Sequence, residues 1–131
     1  MSKYSIAKKL DAPFETAVGK AKEALDAADF GLLGELDISA ILKKRLDKDF
    51  RRYLVLLACQ PQITHKALTI ETEIGLFLPC HIAVYDNDEG GSTIAAIDPV
   101  VATSMIENPA LAIIAREMKE KLERIISSIG P

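Results

Sequence analysis

Two cysteines and two histidines fall close together in this chain, within Cys59-Gln60-Pro61-Gln62-Ile63-Thr64-His65 and Gly75-Leu76-Phe77-Leu78-Pro79-Cys80-His81. Thiols and imidazoles are soft metal ligands and nucleophiles, so metal binding and thiol chemistry stand beside the plainer role of packing a small apolar side chain. Spacing argues against zinc. Structural sites bring their ligands in close pairs, whereas Cys59 and Cys80 are far apart. Cys80 and His81 are neighbours, which point to opposite faces of an extended strand. A weak site from Cys59, His65 and Cys80 is the arrangement left open, and no metal is assigned.

Thiol chemistry has its best argument in Cys59, just ahead of a helix opened by Pro61, where free amides and the helix dipole favour a thiolate. His65 lies about one turn into that helix. Against this, Cys59 alternates with Val55 and Leu57, and Cys80 with Ile82 and Val84, so both sulfurs read equally well as core. Asp98 before Pro99 reads first as a turn cap, and Glu71 and Glu73 could line a site near the cysteines. Cys59, His65, Cys80, His81 and Asp98 are therefore candidate ligand-binding residues. No nucleophile, base and orienting group assemble into a catalytic set, and nothing names a cofactor.

The surrounding elements must position these groups. Residues 4–10 alternate as a first strand. Asp11-Ala12-Pro13 offers a capping carboxylate and a proline for the first turn of a helix running to about Asp29, with Phe14, Ala17, Val18, Ala21, Leu25 and Ala28 at helical spacing. Residues 32–38 alternate as a half-buried strand, and Ser39 is placed to cap a short helix to Leu46. Residues 53–59 are apolar on both parities. That predicts a central strand covered by helices on one side and by another layer or subunit on the other. Residues 81–85 and 92–97 form a hairpin across a polar turn ending in Gly90-Gly91. The apolar connection 100–106 should lie against something. Asn108-Pro109 opens the last helix, whose stripe of Leu111, Ala115, Met118, Leu122, Ile125 and Ile129 suits covering a sheet, with Gly130 as its stop. The sum is an α+β domain: a mainly antiparallel sheet with two long amphipathic helices on one face.

Composition bounds the partners. The chain has 131 residues, 49% hydrophobic and 27% charged, enough for one compact domain with its own core. A net charge of −3 gives no general attraction to nucleic acid or an anionic membrane, and neither partner is expected. The local exception is the basic run from Lys43 to Arg52, read as a solvated face. No apolar run approaches the ~20 residues of a membrane span, and the charged start does not suit a signal peptide. Two cysteines do not make a secreted disulfide scaffold, so a cytoplasmic setting is expected.

Leu46-Asp47-Lys48-Asp49-Phe50-Arg51, Ala58-Cys59-Gln60-Pro61, His65-Lys66-Ala67-Leu68, Glu73-Ile74-Gly75-Leu76, Leu78-Pro79-Cys80 and Asp98-Pro99 occur in that order. Through them the chain resembles the bacterial and archaeal family called domain of unknown function 302. The positions after the two cysteines, often asparagine in that family, are Gln60 and His81 here. The resemblance implies a β-α-β4-α order similar to the TATA-binding-protein-like fold, and homodimers. It implies no DNA binding and brings no activity. The expectation is a small homodimeric binding or accessory domain with a small-molecule pocket near Cys59, His65, Cys80 and the loop after Pro99. The alternative is a thiol-dependent redox or sulfur-transfer protein using Cys59 or Cys80.

Overall fold

The computed structural model describes residues 2–78 and 80–130; Pro79, expected to hold a strand end, lies outside them. Five strands form one antiparallel sheet in the order β1-β5-β4-β3-β2, with β1 at Ser5–Leu10, β2 at Gly31–Asp37, β3 at Tyr53–Cys59, β4 at Cys80–Asp86 and β5 at Ser92–Ile97. Alternating pairings make β1 and β2 run the same way at opposite edges. Their connection must therefore cross the sheet, and helix α1, Phe14–Ala27, makes that crossing. Helix α5, Pro109–Ser128, packs beside it on the same face. With the shorter helices set aside, the order is β-α-β4-α, an α+β fold as expected.

Alternation builds the core. Leu54, Leu56 and Ala58 of β3 face the helices together with Ile82 and Val84 of β4 and Ile94 and Ala96 of β5, all buried. Against them α1 sets Phe14, Ala17, Ala21 and Leu25, and α5 sets Leu122, Ile125 and Ile126. The other parity of β3, from Tyr53 to Cys59, is only half-buried. With Leu36, His81, Ala83, Tyr85 and Ala95 it forms an open face crossed by a groove of about 470 Å³. Tyr53 and Tyr85 stack there with centroids 5.1 Å apart. The apolar character on both parities is thus real, while the second face has no covering layer of long helix among the described residues. β3 lies inside the sheet, but β4 is its middle strand.

Several local expectations need correction. α1 begins one residue after Pro13, which stands at the cap in extended conformation, and neither it nor Asp11 supplies a side-chain cap. Helix α2, Ile38–Leu46, is capped by Asp37 in place of Ser39: the Asp37 carboxylate accepts from the Ala40 amide at 2.9 Å and the Ser39 hydroxyl at 2.7 Å. Those bonds, the hydroxyl first, hold the Asp37 carboxyl below its ordinary range. β2 is exposed on both faces because it is an edge strand interrupted by a bulge between Leu32 and Gly34. α5 is stopped by Ile129, which turns extended and buries its side chain, and not by a left-handed Gly130.

The β4–β5 turn shows what its two glycines do. Gly90 adopts φ +82°, and Gly91 lies where an added Cβ would meet the Leu10 carbonyl oxygen at 2.1 Å. Gly91→Ala is expected to cost about 1–3 kcal/mol, since backbone and not a flexible side chain blocks it. Gly19→Ala, within α1 and with open space around its Cβ, is expected to stabilise by up to about 1 kcal/mol. Urea unfolding of the two variants should move the midpoint in opposite directions.

Candidate functional site

The end of the sheet at which β3 finishes, β4 starts and β5 finishes gathers most of the chemistry-bearing residues. Ala58 pairs with Cys80 there, and Ser5 with Ile97. Helix α3, Pro61–Ile70, leaves β3 at this end, capped by Gln60, whose side-chain oxygen accepts from the Ile63 amide at 2.9 Å. A 3-10 helix, Thr72–Phe77, returns to β4, and helix α4, Pro99–Ala102, follows β5. These pieces and the first turns of α5 enclose a second small core of Ala67, Ile74 and Leu111.

Strand parity separates the five candidates. Cys80 shares the helix side with its partner Ala58, whereas Cys59 and His81 share the open face, His81 opposite Leu57. Cys59 Sγ lies 3.1 Å from Thr64 Oγ1, one turn into α3. His65 is exposed on that helix, away from its buried residues Ile63 and Ala67. Asp98 is 6% exposed and caps α4, accepting from the Val100 and Val101 amides, while its second oxygen meets Lys119 Nζ at 3.1 Å. Its own amide donates to the Tyr4 carbonyl at 2.7 Å. The carboxylate ties α4 to α5, and the backbone amide of the same residue ties the end of β5 to the residue before β1.

Among the described residues no three Cys, His, Asp or Glu side chains converge as a metal ion requires. Glu71 accepts from the Asn108 side chain at 3.2 Å. Half of the basic run is met by acids: Lys43 by Asp47 and Asp49, Arg51 by Asp88, and Arg52 by Glu15, with the Arg52 guanidinium 4.3 Å from the centre of the Phe14 ring. No helix among the described residues is long and apolar enough to cross a membrane.

Cys80 lines a cavity of about 80 Å³ together with residues of α3, the 3-10 helix, α4 and α5. Cys80 as a residue is half-buried, but the surroundings are apolar, and burial pushes the thiol from 9.0 up to about 12. At neutral pH it is a protonated, inert SH. Of the residues expected around a pocket, Cys80 and the segment from Pro99 line this cavity, while Cys59 and His65 do not; its remaining walls come from separate segments with no shared motif.

A family model described as Domain of unknown function DUF302 matches residues 6–129. No curated protein matches the chain. Among solved structures the chain is similar to one described as the crystal structure of uncharacterized conserved protein DUF302 from Bacillus stearothermophilus. The TM-score is 0.91 at 23% sequence identity, covering 98% of this chain and 100% of that one. At that identity the likeness speaks for the fold.

The raised Cys80 thiol makes stability depend on alkaline pH. The unfolded chain releases this proton near pH 9 and the folded chain holds it to about pH 12, so folding stability falls as pH rises between them. The slope from this group is roughly 1.4 kcal/mol per pH unit. Urea titrations from pH 8 to 10.5 should show it in the parent and lose it in Cys80→Ala. Iodoacetamide at pH 8 should leave Cys80 unmodified in the folded protein and label it after unfolding.

Proposed function

The chain belongs to the family described as domain of unknown function DUF302, and because that name carries no activity we propose a function from the chain's own geometry: a homodimeric, cytoplasmic binding or accessory domain that takes a small molecule at the Cys80 end of its sheet. The observation that carries the reading is the division of labour between the two faces. One is filled by α1 and α5, with the cavity beside Cys80 at its end; the other is apolar and open.

A second copy is the occupant that best suits the open face. Tyr53, Val55, Leu57, Ala83 and Ala95 give it an apolar centre, and its cation Lys9 sits on the β1 edge, paired with Glu89 at 2.6 Å. Five strands of this length span roughly 24 by 20 Å, less than the roughly 800 Å² per partner of a standard stable interface. The exposed Leu36, Ile41 and Leu46 of β2 and α2 extend the apolar surface beyond the sheet, and α2 buries no residue within its own chain. Symmetric pairing would cover both surfaces at once. Tyr53 already titrates high, through burial first and then the neighbouring Tyr85 and Tyr4, as suits a partly dry surface.

Among the five candidate ligand residues, Cys80 and Asp98 stand nearest the ligand in this reading, one at the cavity wall and one anchoring the segment that follows β5. Cys59 and His81 lie with the dimer surface, and His65 on the outer side of α3. Two free cysteines suit a reducing compartment. The thiol alternative narrows to Cys59, which alone has a helix start and a hydroxyl beside its sulfur.

Sedimentation equilibrium is expected to find a dimer, with Ala83→Lys raising the dissociation constant at least a hundredfold while leaving the fold intact. Cys59 alkylation should slow as protein concentration rises through that constant. A folded parent that stays monomeric at every concentration overturns the dimer. A Cys59 that titrates below pH 7 and reacts fastest in the dimer would move the assignment to the thiol alternative.

A further inference from the structure

Resting on the binding-domain reading, we propose that the cavity beside Cys80 takes the end of one unbranched aliphatic chain, the tail of a small amphiphile whose polar head stays in solvent. Among the described residues the cavity has no charged lining side chain, and its one hydroxyl, Thr103 Oγ1, is spent on the Pro99 carbonyl at 2.7 Å. Cys80 presents a neutral SH. Most of the wall is aliphatic, Ile63 and Ala67 of α3, Ala102 of α4 and Leu111 and Ala115 of α5 among it, with Phe77 as the aromatic member among the described residues. A ligand held there has nothing to bond with and must be apolar where it is buried.

Size separates chain from ring. An apolar protein cavity that takes benzene holds about 150 Å³, and this one holds about 80 Å³. It is too small for an aromatic ring and large for a gap in a packed interior, where voids beyond a water molecule are few. The narrow end of a flexible chain fits both limits.

The surface around the opening supports the same occupant. The two most exposed large apolar side chains among the described residues are Leu76, at 81%, and Met105, at 77%. Leu76 is next to the lining residue Phe77, and Met105 stands two positions from the lining residue Thr103. Val101, in α4 between Pro99 and Ala102, is also exposed. The connection after β5 lies against α5, as its apolar character led one to expect, with Ile106 packed on the second core, while Val101 and Met105 remain exposed. Methylenes beyond the buried tip would lie across Phe77, Leu76 and Met105, hiding surface that otherwise faces water.

The test is titration of the full chain, followed by amide and methyl NMR, with hexanoate, octanoate and decanoate below their micelle concentrations and with 4-phenylbutyrate as the ring probe. Affinity should rise roughly fourfold per methylene, the increment for burying one CH2, with shifts centred on Ala67, Ala102 and Ala115, and the ring probe should leave these residues unmoved. Ala102→Leu and Ala115→Leu, each filling the cavity from a different helix, should weaken decanoate at least tenfold. Leu76→Ser and Met105→Ser, both on the surface and not needed for folding, should weaken it three- to tenfold. Affinity independent of chain length, or unchanged in the folded filling variants and both serine variants, overturns the proposal. Binding of the ring probe without the chains refutes the ligand class and leaves the binding domain standing. A cavity that responds to no probe of either kind removes both.

Discussion

Neighbouring side chains on a strand point to opposite faces, and most of what this molecule can do follows from that constraint acting on a sheet whose two long helices lie on one side. Leu56, Ile82, Val84 and Ile94 make the covered face because α1 has to cross from β1 at one edge to β2 at the other. The crossing helix leaves room for one companion, and α5 fills it. Once that layer is in place, the remaining parity of each strand is committed to the other side, whatever its polarity.

The same constraint sorts the thiols. Cys59 and Cys80 end and begin adjacent strands, yet they lie on opposite sides of the sheet, one beside a hydroxyl at a helix start and the other inside an apolar wall. Two sulfurs so placed do not act as a pair. Polar groups at this end are instead spent on construction. Gln60, Asp98 and Asn108 each cap a helix, and Asp98 also anchors Lys119 and the residue before β1. No buried side-chain nitrogen or oxygen among the described residues lacks a partner. An end so fully satisfied in its polar groups can offer a ligand mainly apolar contact, which is the character of the cavity it surrounds.

Much of the fold was legible because its signals are local. The alternation of residues 53–59, the Asn108-Pro109 start of α5 and its apolar stripe, and the polar turn before Ser92 each depend on a few adjacent residues. Errors came where two neighbours compete for one role. Asp37 and Ser39 both can cap α2, and the carboxylate wins by accepting from the serine as well as the backbone. The side taken by Cys59 was not legible, since both parities of β3 are apolar and periodicity alone cannot say which meets the helices, whereas Cys80 follows Ile82 and Val84 of β4 to the helix side. Of the cavity only the part at Cys80 and Pro99 was legible, because its other walls are drawn from segments as distant as Ile63 and Leu122.

The placement of β1 also governs how the chain comes together in time. Its sole partner strand is β5, with Ser5 beside Ile97 and Leu10 beside Ser92, and Asp98 closes the join through Tyr4. During synthesis the first strand therefore emerges long before its neighbour exists, while β4 and β5 can zip together through the short turn 87–91 and β3 joins them across the longer segment 60–79. The β1–β5 pairing closes a loop of about two-thirds of the chain, the separation in sequence that costs most entropy and slows folding in topologies of this kind. Until then the edge of β5 stands unpaired, and a nascent copy of β1 from a second ribosome is as well matched to it as the chain's own.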